Sequence, residues 1–122
     1  MARILYVEDH PALRDVTTRM LEMAGYEIIP ARDGHEALQF ASAVPPDLAI
    51  VDMRLPGMDG FEVIERLRAQ ATTAAIPIIA TSAWAGDEYR QRALALGANE
   101  LLKTPVDVAK LLQMMKQYLA GE

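Results

Sequence analysis

The chain contains the stretch Leu48-Ala49-Ile50-Val51-Asp52-Met53-Arg54-Leu55-Pro56-Gly57-Met58-Asp59-Gly60. Its first four residues, 48–51, are apolar without a break, and two other segments, 4–7 and 78–80, share this character. A β-strand reads this way when other structure covers both of its faces, as in a parallel sheet with helices on either side. The three segments therefore predict buried strands of an α/β protein.

Strand-like segments alternate with helical patterns along the whole chain. The strand-like segments are residues 3–7, 26–30, 47–51, 76–81 and 99–103. Apolar residues at helical spacing follow each of them, and the first helix carries these: Leu13, Val16, Met20 and Leu21. Five such units with right-handed crossovers predict a flavodoxin-like, doubly wound (βα)5 fold with strand order 2-1-3-4-5, in a single domain spanning residues 1–122.

Capping residues mark the ends of the later helices. Asp59, with Glu62 three residues on, is a plausible start for the third helix, and Asp107 is one for the fifth. The fourth helix is expected over about residues 86–96, with Gly97 at its end, because glycine adopts the left-handed conformation that terminates helices. These signals support the division into five units.

Composition and charge exclude several classes of protein. Hydrophobic residues make up 52% of the chain and charged residues 24%, which is typical of a globular domain. No apolar segment approaches the ~20 residues that cross a bilayer, and Glu8 interrupts the first one too early for a secretory signal. Without cysteine there is no disulfide or thiolate zinc site, and we expect a cytoplasmic protein. The net charge of −5 argues against direct binding to nucleic acid.

Acidic residues follow two neighbouring strands of the predicted sheet. Glu8 and Asp9 come directly after the first strand, and Asp52 comes directly after the third. The carboxyl ends of these strands meet at one edge, where doubly wound folds bind their ligands. Two like charges ~4 Å apart cost about 4 kcal/mol at a surface-like dielectric, so a cation is expected among them. Oxygen ligands of this kind point to Mg²⁺.

Four motifs stand at the ends of these strands and helices. They are Val7-Glu8-Asp9, the run 51–60, Thr81-Ser82-Ala83 and Gly97-Ala98-Asn99. In this order and spacing they resemble the receiver domain of two-component response regulators, of the stand-alone chemotaxis-regulator-like type. The resemblance covers the whole chain, and the run that begins at Asp52 is its most specific part.

The resemblance implies a role for each residue of the site. Asp52 would accept a phosphoryl group from a phosphohistidine. Glu8 and Asp9 would hold Mg²⁺ together with Asp52 and the backbone carbonyl of Arg54, and the hydroxyl of Ser82 would bond a phosphoryl oxygen. The chemistry agrees, since a carboxylate can be a covalent phosphoryl acceptor and a metal ion neutralises charge on the transferring group.

The resemblance also implies what the chain does and with which partners. It would be a signalling switch rather than an enzyme, with catalysis limited to Mg²⁺-assisted self-phosphorylation and self-dephosphorylation. The phosphodonor would be a sensor histidine kinase or a histidine phosphotransfer protein, and the switch would act on a downstream protein that the sequence does not identify. The face made by the fourth helix, the fifth strand and the fifth helix is a candidate homodimer surface.

The match to the family breaks after the fifth strand. The family places a lysine directly before a proline, seven residues after the glycine that ends the fourth helix, but here Thr104 has that position and Lys103 comes one residue early. Because side chains alternate along a strand, one step turns Lys103 away from the pocket. Two outcomes stay open: Lys103 bends back to Asp52 from the strand end, or Thr104 lines the pocket with an uncharged hydroxyl. The bond from Thr104 to Pro105 stands where the family's bond is usually cis.

Two bulky residues flank the expected phosphoryl site. Arg54 lies two residues after the acceptor, and Trp84 lies two residues after the hydroxyl. In the family, residues at these positions tune the lifetime of the aspartyl phosphate. The pair either shields the phosphoryl group from water or forms two exposed loop side chains, and the sequence favours neither.

Three other functions are weaker interpretations of the same residues. Thr104 alone suggests a pseudo-receiver that binds a partner without phosphorylation. A haloacid-dehalogenase-like phosphatase requires a second Asp two residues after the first, where this chain has Arg54. A flavodoxin-type electron carrier requires a phosphate-binding loop after the first strand, where the charges of Glu8 and Asp9 would repel a flavin phosphate.

Overall fold

The computed structural model describes residues 1–84 and 86–120. In this part of the chain, five parallel strands form one sheet and five helices alternate with them. The strands are β1 (Arg3–Val7), β2 (Glu27–Ala31), β3 (Leu48–Asp52), β4 (Ile78–Ser82) and β5 (Glu100–Lys103). The helices are α1 (Pro11–Met23), α2 (Gly34–Ala43), α3 (Gly60–Ala69), α4 (Asp87–Leu96) and α5 (Val108–Leu119).

The strand order is β2-β1-β3-β4-β5, which confirms the predicted flavodoxin-like topology. The register aligns the strand ends that form the site. Val7 of β1 lies opposite Val51 of β3, and Asp52 lies opposite Thr81 of β4. The residues that follow β1, end β3 and end β4 therefore share one edge of the sheet.

Most strands begin one or two residues later than the sequence predicted. In the segment expected at 76–81, the strand begins at Ile78, because backbone pairing with β3 starts where Ile78 lies opposite Ala49. The segment expected at 26–30 begins at Glu27, which lies opposite Arg3. Apolar character extends beyond the backbone pairing at these ends, so composition alone places a strand but not its first residue.

Apolar side chains cover both faces of the sheet, as the unbroken apolar segments predicted. Alternate residues of β3 point to opposite sides. Ala49 and Val51 pack in the layer formed with α2, α3 and α4, and Leu48 and Ile50 pack in the layer formed with α1 and α5. All four are buried. No helix among residues 1–84 and 86–120 has the length and apolar character needed to span a membrane.

Polar and glycine residues bound the helices where the sequence indicated. The Asp59 carboxylate accepts the N–H of Glu62 at 2.9 Å, and the Asp107 carboxylate accepts the N–H of Ala109 at 3.0 Å. Gly97 follows α4 with a φ of 119°, in the left-handed region. The predicted starts of α3 and α5 and the predicted end of α4 are confirmed.

The apolar stripe of α1 is buried at one position. Leu21 is fully buried, whereas Leu13, Val16 and Met20 are 45%, 55% and 42% exposed. The sheet face beside α1 is covered by α5, whose Met115 is fully buried in the same layer as Leu21. The helical spacing correctly predicts this helix, but it does not tell which of its apolar residues face the core.

Gly60 begins α3 directly beneath the end of β3, where no side chain fits. A Cβ at this position would collide with the carbonyl oxygen of Asp52 and would lie 2.5 Å from the Cα of Met53. We expect Gly60→Ala to lower the free energy of unfolding by about 1–3 kcal/mol, because backbone has to move to make room. Urea denaturation measures the loss.

Gly86→Ala is the matched control for this variant. A Cβ at Gly86 meets nothing within 4 Å, and the residue stands at the N-cap of α4 with a φ of −67°. Its loss of stability should therefore be clearly smaller than that of Gly60→Ala. Equal losses in the two variants would contradict the packing described for Gly60.

Candidate functional site

Three carboxylates lie together at the carboxyl edge of the sheet. Glu8 directly follows β1, Asp9 comes next, and Asp52 is the last residue of β3. Each offers an oxygen atom, and these three oxygens lie within 4.8 Å of one another. Glu8 is buried, Asp52 is half-buried and Asp9 is exposed, so the group is reached from solvent on the Asp9 side.

Backbone N–H groups orient the two less exposed carboxylates. Oε2 of Glu8 accepts the N–H of His10 at 3.0 Å, and Oδ1 of Asp52 accepts the N–H of Arg54 at 3.0 Å. The guanidinium of Arg14 donates to the backbone carbonyl of Glu8 at 2.8 Å. The carboxylates of Glu8 and Asp52 each use one of their two oxygens to accept a backbone N–H. These bonds hold the loops after β1 and β3 against the acids that precede them.

Burial and mutual repulsion disfavour the ionised forms of these acids. Burial raises the pKa of Glu8 to about 7, and the charges of Asp52 and Asp9 act in the same direction. Burial also raises the pKa of Asp52, with a further contribution from the charge of Asp9, while the N–H and the guanidinium of Arg54 oppose this rise. The cluster is therefore an electrostatically unfavourable arrangement that a bound cation would relieve.

Ser82 ends β4 beside the carboxylates. Its side chain is fully buried, and its Oγ accepts the N–H of Trp84 at 3.1 Å. The carbonyl of Thr81, the residue before it, accepts the N–H of Met53 at 2.8 Å. The hydroxyl of Ser82 and the carboxylate of Asp52 thus stand on adjoining strand ends that backbone bonds hold together.

Lys103 and Thr104 have different surroundings in the structure. Lys103 pairs with Ser82 in the ladder, but its side chain is exposed, and no described carboxylate forms an ion pair with it within 4.0 Å. Thr104 lines a cavity of about 190 Å³ together with Glu8, and its backbone N–H donates to the carbonyl of Ser82 at 2.8 Å. The bond from Thr104 to Pro105 is cis. Thr104, and not Lys103, therefore shares a cavity with Glu8.

An open cleft of about 680 Å³ extends from Asp9 and Asp52 to Arg54 and Trp84. The guanidinium carbon of Arg54 lies 4.2 Å from the centre of the Trp84 ring, which is a cation–π contact. Trp84 is 43% exposed, so the pair forms a wall of the cleft that solvent reaches. Both are therefore exposed loop side chains, and they contact each other beside Asp52.

A stack of aromatic rings continues from Trp84 into the space between α3 and α4. The centres of the Trp84 and Tyr89 rings lie 5.3 Å apart, and Tyr89 stacks on Phe61 at 6.0 Å. The guanidinium carbon of Arg92 lies 4.0 Å from the centre of the Phe61 ring. This stack was not predicted from the sequence. The spacing of Tyr89 and Arg92 indicates that they share a helix face, but nothing local connects them to Trp84.

Residues 4–116 match the response regulator receiver domain family. The chain therefore belongs to that family, and it is a receiver domain of a two-component system. Receiver domains are signalling switches rather than conventional enzymes, and they work with histidine kinases or phosphotransfer proteins. The comparisons give no support to the pseudo-receiver alternative.

Similar solved structures share the fold from end to end. The chemotaxis protein CheY4 of Vibrio cholerae is 34% identical with a TM-score of 0.93, and the match covers 98% of this chain and 99% of CheY4. The receiver domain of a sensor histidine kinase from Pseudomonas aeruginosa is 33% identical with a TM-score of 0.90, over 98% of each chain. That structure has a magnesium ion coordinated in its active site cleft.

Relatives of known sequence are both stand-alone and longer proteins. Protein PilH of Pseudomonas aeruginosa is 34% identical over 99% of this chain and 100% of its own length. The polar-differentiation response regulator DivK of Brucella ovis is 35% identical over 95% of this chain and 94% of its own. The DNA-binding dual master transcriptional regulator RpaA of Synechocystis sp. is 37% identical over 98% of this chain. This chain spans only 49% of RpaA, so the activity of that whole protein belongs to RpaA.

Without divalent cations, stability should fall as pH rises through the titration of Glu8. The folded protein holds this proton up to about pH 7, whereas an ordinary Glu releases it near pH 4.5. Between these values the folded state binds more protons than the unfolded state, so the free energy of unfolding decreases with pH. We expect a loss on the order of 1–3 kcal/mol relative to Glu8→Gln, which has no proton to release.

Chemical denaturation of the parent and of Glu8→Gln between about pH 4.5 and pH 7, with a chelator present, measures the difference. Acids outside the cluster titrate equally in the two proteins, so the subtraction isolates Glu8 together with its effect on Asp9 and Asp52. Identical pH profiles would contradict the raised pKa assigned to it.

Proposed function

We propose that this chain takes a phosphoryl group from a phosphohistidine onto Asp52 and thereby changes its affinity for a partner protein. The observation that carries the proposal is the setting of Asp52. This carboxylate ends a central strand, with Glu8 and Asp9 within 4.8 Å and the buried hydroxyl of Ser82 on the next strand end. A solvated surface acid would not have these neighbours.

Asp52 is oriented for nucleophilic attack on phosphorus. Its Oδ1 accepts the N–H of Arg54, so we assign the attack to Oδ2. A bond forms between Oδ2 and phosphorus, and the phosphorus–nitrogen bond of the donor histidine breaks. The electron pair of that bond returns to the imidazole, which takes up a proton. Later attack of water on phosphorus releases inorganic phosphate and restores the carboxylate of Asp52.

The oxygen donors of the cluster suit Mg²⁺. Hard cations take carboxylate and carbonyl oxygens, and Mg²⁺ keeps several waters beside one or two carboxylates. Glu8, Asp9 and Asp52 would hold the ion, with the backbone carbonyl of Arg54 as a further ligand. When bound, Mg²⁺ supplies positive charge that offsets the negative charge of the transferring group. The magnesium ion in the cleft of the similar kinase receiver domain supports this assignment.

Two hydroxyl groups complete the proposed site. The hydroxyl of Ser82 donates to a phosphoryl oxygen, and we propose that its Oγ turns toward Asp52 and releases the N–H of Trp84. The loop after β4 then loses an anchor, so that phosphorylation alters the surface beside the cleft. Thr104 supplies a hydroxyl near Glu8 without charge, whereas Lys103 would have to fold back from the exposed side of β5.

The partners follow from the proposed reaction. A sensor histidine kinase or a histidine phosphotransfer protein is the donor, and a downstream protein reads the phosphorylated state. The net charge of −5 supports a function without direct contact to nucleic acid. A sequence without cysteine fits a function in the reducing cytoplasm. The face of α4, β5 and α5 is the proposed site of self-association. There the Tyr118 hydroxyl donates to Glu100 at 2.7 Å, which ties α5 to β5.

Mg²⁺ should stabilise the folded chain through this site. At ten times its Kd the free energy of unfolding rises by about 1.4 kcal/mol, which raises the Tm of a domain of this size by roughly 3–6 °C. Calorimetry with and without Mg²⁺ measures the shift. Asp9→Asn should remove most of it, while Asp47→Asn, the same change at the opposite edge of the sheet, should keep it. A shift that survives Asp9→Asn would count against the site.

Asp52→Asn should abolish phosphoryl acceptance and leave the fold intact. An amide has no carboxylate oxygen to form the acyl phosphate, and the change removes one of three repelling charges, so the metal-free variant should be at least as stable as the parent. Intact mass after incubation with acetyl phosphate and Mg²⁺ should show one added phosphoryl group on the parent and none on the variant. Phosphorylation of the variant at another residue would overturn the assignment.

A further inference from the structure

Strand β5 supplies no cation to the carboxylate cluster among the residues that the structure describes. Thr104, which lines the cavity beside Glu8, is neutral, and the side chain of Lys103 is exposed. A phosphoryl group on Asp52 would replace the single charge of this carboxylate by about two negative charges next to Glu8 and Asp9, and one divalent ion offsets only part of the total. Phosphoryl oxygens are normally met by charge-assisted hydrogen bonds, so a further cation is required.

Arg54 is placed to supply this charge. It follows Asp52 by two residues, and both line the same cleft with Asp9. Its charge favours the ionised form of Asp52, so the guanidinium lies within electrostatic reach of the acceptor. The backbone N–H of Arg54 already binds Oδ1 of Asp52 at 3.0 Å, which fixes the start of the side chain.

Trp84 holds the guanidinium at the cleft. The guanidinium carbon lies over the indole ring, 4.2 Å from the ring centre. Contact with a ring uses none of the N–H groups of a guanidinium as conventional hydrogen-bond donors, and the geometry of these groups matches phosphoryl oxygens. Trp84 is fixed in turn, because its backbone N–H binds Oγ of Ser82 and its ring packs against Tyr89 at 5.3 Å.

We propose that Arg54 is the phosphoryl-binding cation of this site and that Trp84 is the residue that positions it. Arg54 would then act in place of the lysine that the family has after the fifth strand, where this chain has Thr104. The inference rests on the proposed phosphorylation of Asp52.

Beryllofluoride with Mg²⁺ is the probe, because it occupies a carboxylate as a phosphoryl group does and does not turn over. Fluorine NMR measures its affinity. Arg54→Gln should weaken beryllofluoride binding at least about tenfold, because a hydrogen bond between charged groups is lost. Mg²⁺ alone should bind this variant as well as the parent or more tightly, because a positive charge has been removed from beside the acids. A general disruption of the site would weaken both ligands.

Arg66→Gln is the matched control. Arg66 lies on α3, where its guanidinium pairs with Glu62 at 2.8 Å, and it is not among the residues that line the cleft. The variant loses the same charge and should change either affinity by no more than about twofold.

Further variants separate charge from structure. Adding Thr104→Lys to Arg54→Gln should restore beryllofluoride affinity to within about threefold of the parent, because a lysine returns to the family position. Trp84→Leu should weaken binding about threefold in the parent, and Trp84→Phe, which keeps a ring, should retain most of the affinity. In the Arg54→Gln background, Trp84→Leu should have no added effect, since Trp84 acts through Arg54.

The outcomes distinguish this proposal from the proposed function. Parental beryllofluoride binding by Arg54→Gln would overturn the role of Arg54 while phosphorylation of Asp52 in the parent still stands. A loss confined to Lys103→Ala would overturn it in favour of the displaced lysine. If the parent binds no beryllofluoride and accepts no phosphoryl group, the proposed function fails, and the role of Arg54 fails with it.

Discussion

Three carboxylates repel one another at one edge of the parallel sheet, and the surrounding residues have to oppose this repulsion. The oxygens of Glu8, Asp9 and Asp52 lie within 4.8 Å of one another, and two unit charges ~4 Å apart repel by about 4 kcal/mol at a surface-like dielectric. Only a rigid frame keeps them together: β1 and β3 are bonded side by side, and buried layers cover both faces. The site therefore favours cations, and through them a phosphoryl group.

At the same edge of the sheet, a chain of contacts connects the proposed phosphorylation site with the cleft wall and α4. The buried hydroxyl of Ser82 anchors the backbone of Trp84, and the ring of Trp84 carries the guanidinium of Arg54 on one side and contacts Tyr89 of α4 on another. A hydroxyl that turned toward Asp52 would release this anchor. Movement at a single oxygen would then reach the cleft wall and α4 together.

The fold could be predicted because its signals are local: unbroken apolar segments, helical spacing, and caps such as Asp59 lie within a few residues of what they mark. The convergence of the acids followed from topology, since parallel strands place their ends together. The stack from Arg54 to Phe61 could not be predicted, because its members come from two loops and two helices and meet only through packing. The orientation of Lys103 and Thr104 depends on the path of the backbone at the end of β5, where the lysine stands one residue earlier than in the family. The sequence alone does not determine this path.

We assign the phosphoryl group to Asp52. Borohydride reduction of the phosphorylated chain, followed by peptide mapping with mass spectrometry, identifies the residue that carries it, because borohydride reduces an acyl phosphate to an alcohol and leaves a free carboxylate unchanged. After incubation with acetyl phosphate and Mg²⁺, we expect conversion of residue 52 to homoserine and of no other residue. Reduction at Glu8 or Asp9, or no reduction at any position, would contradict it.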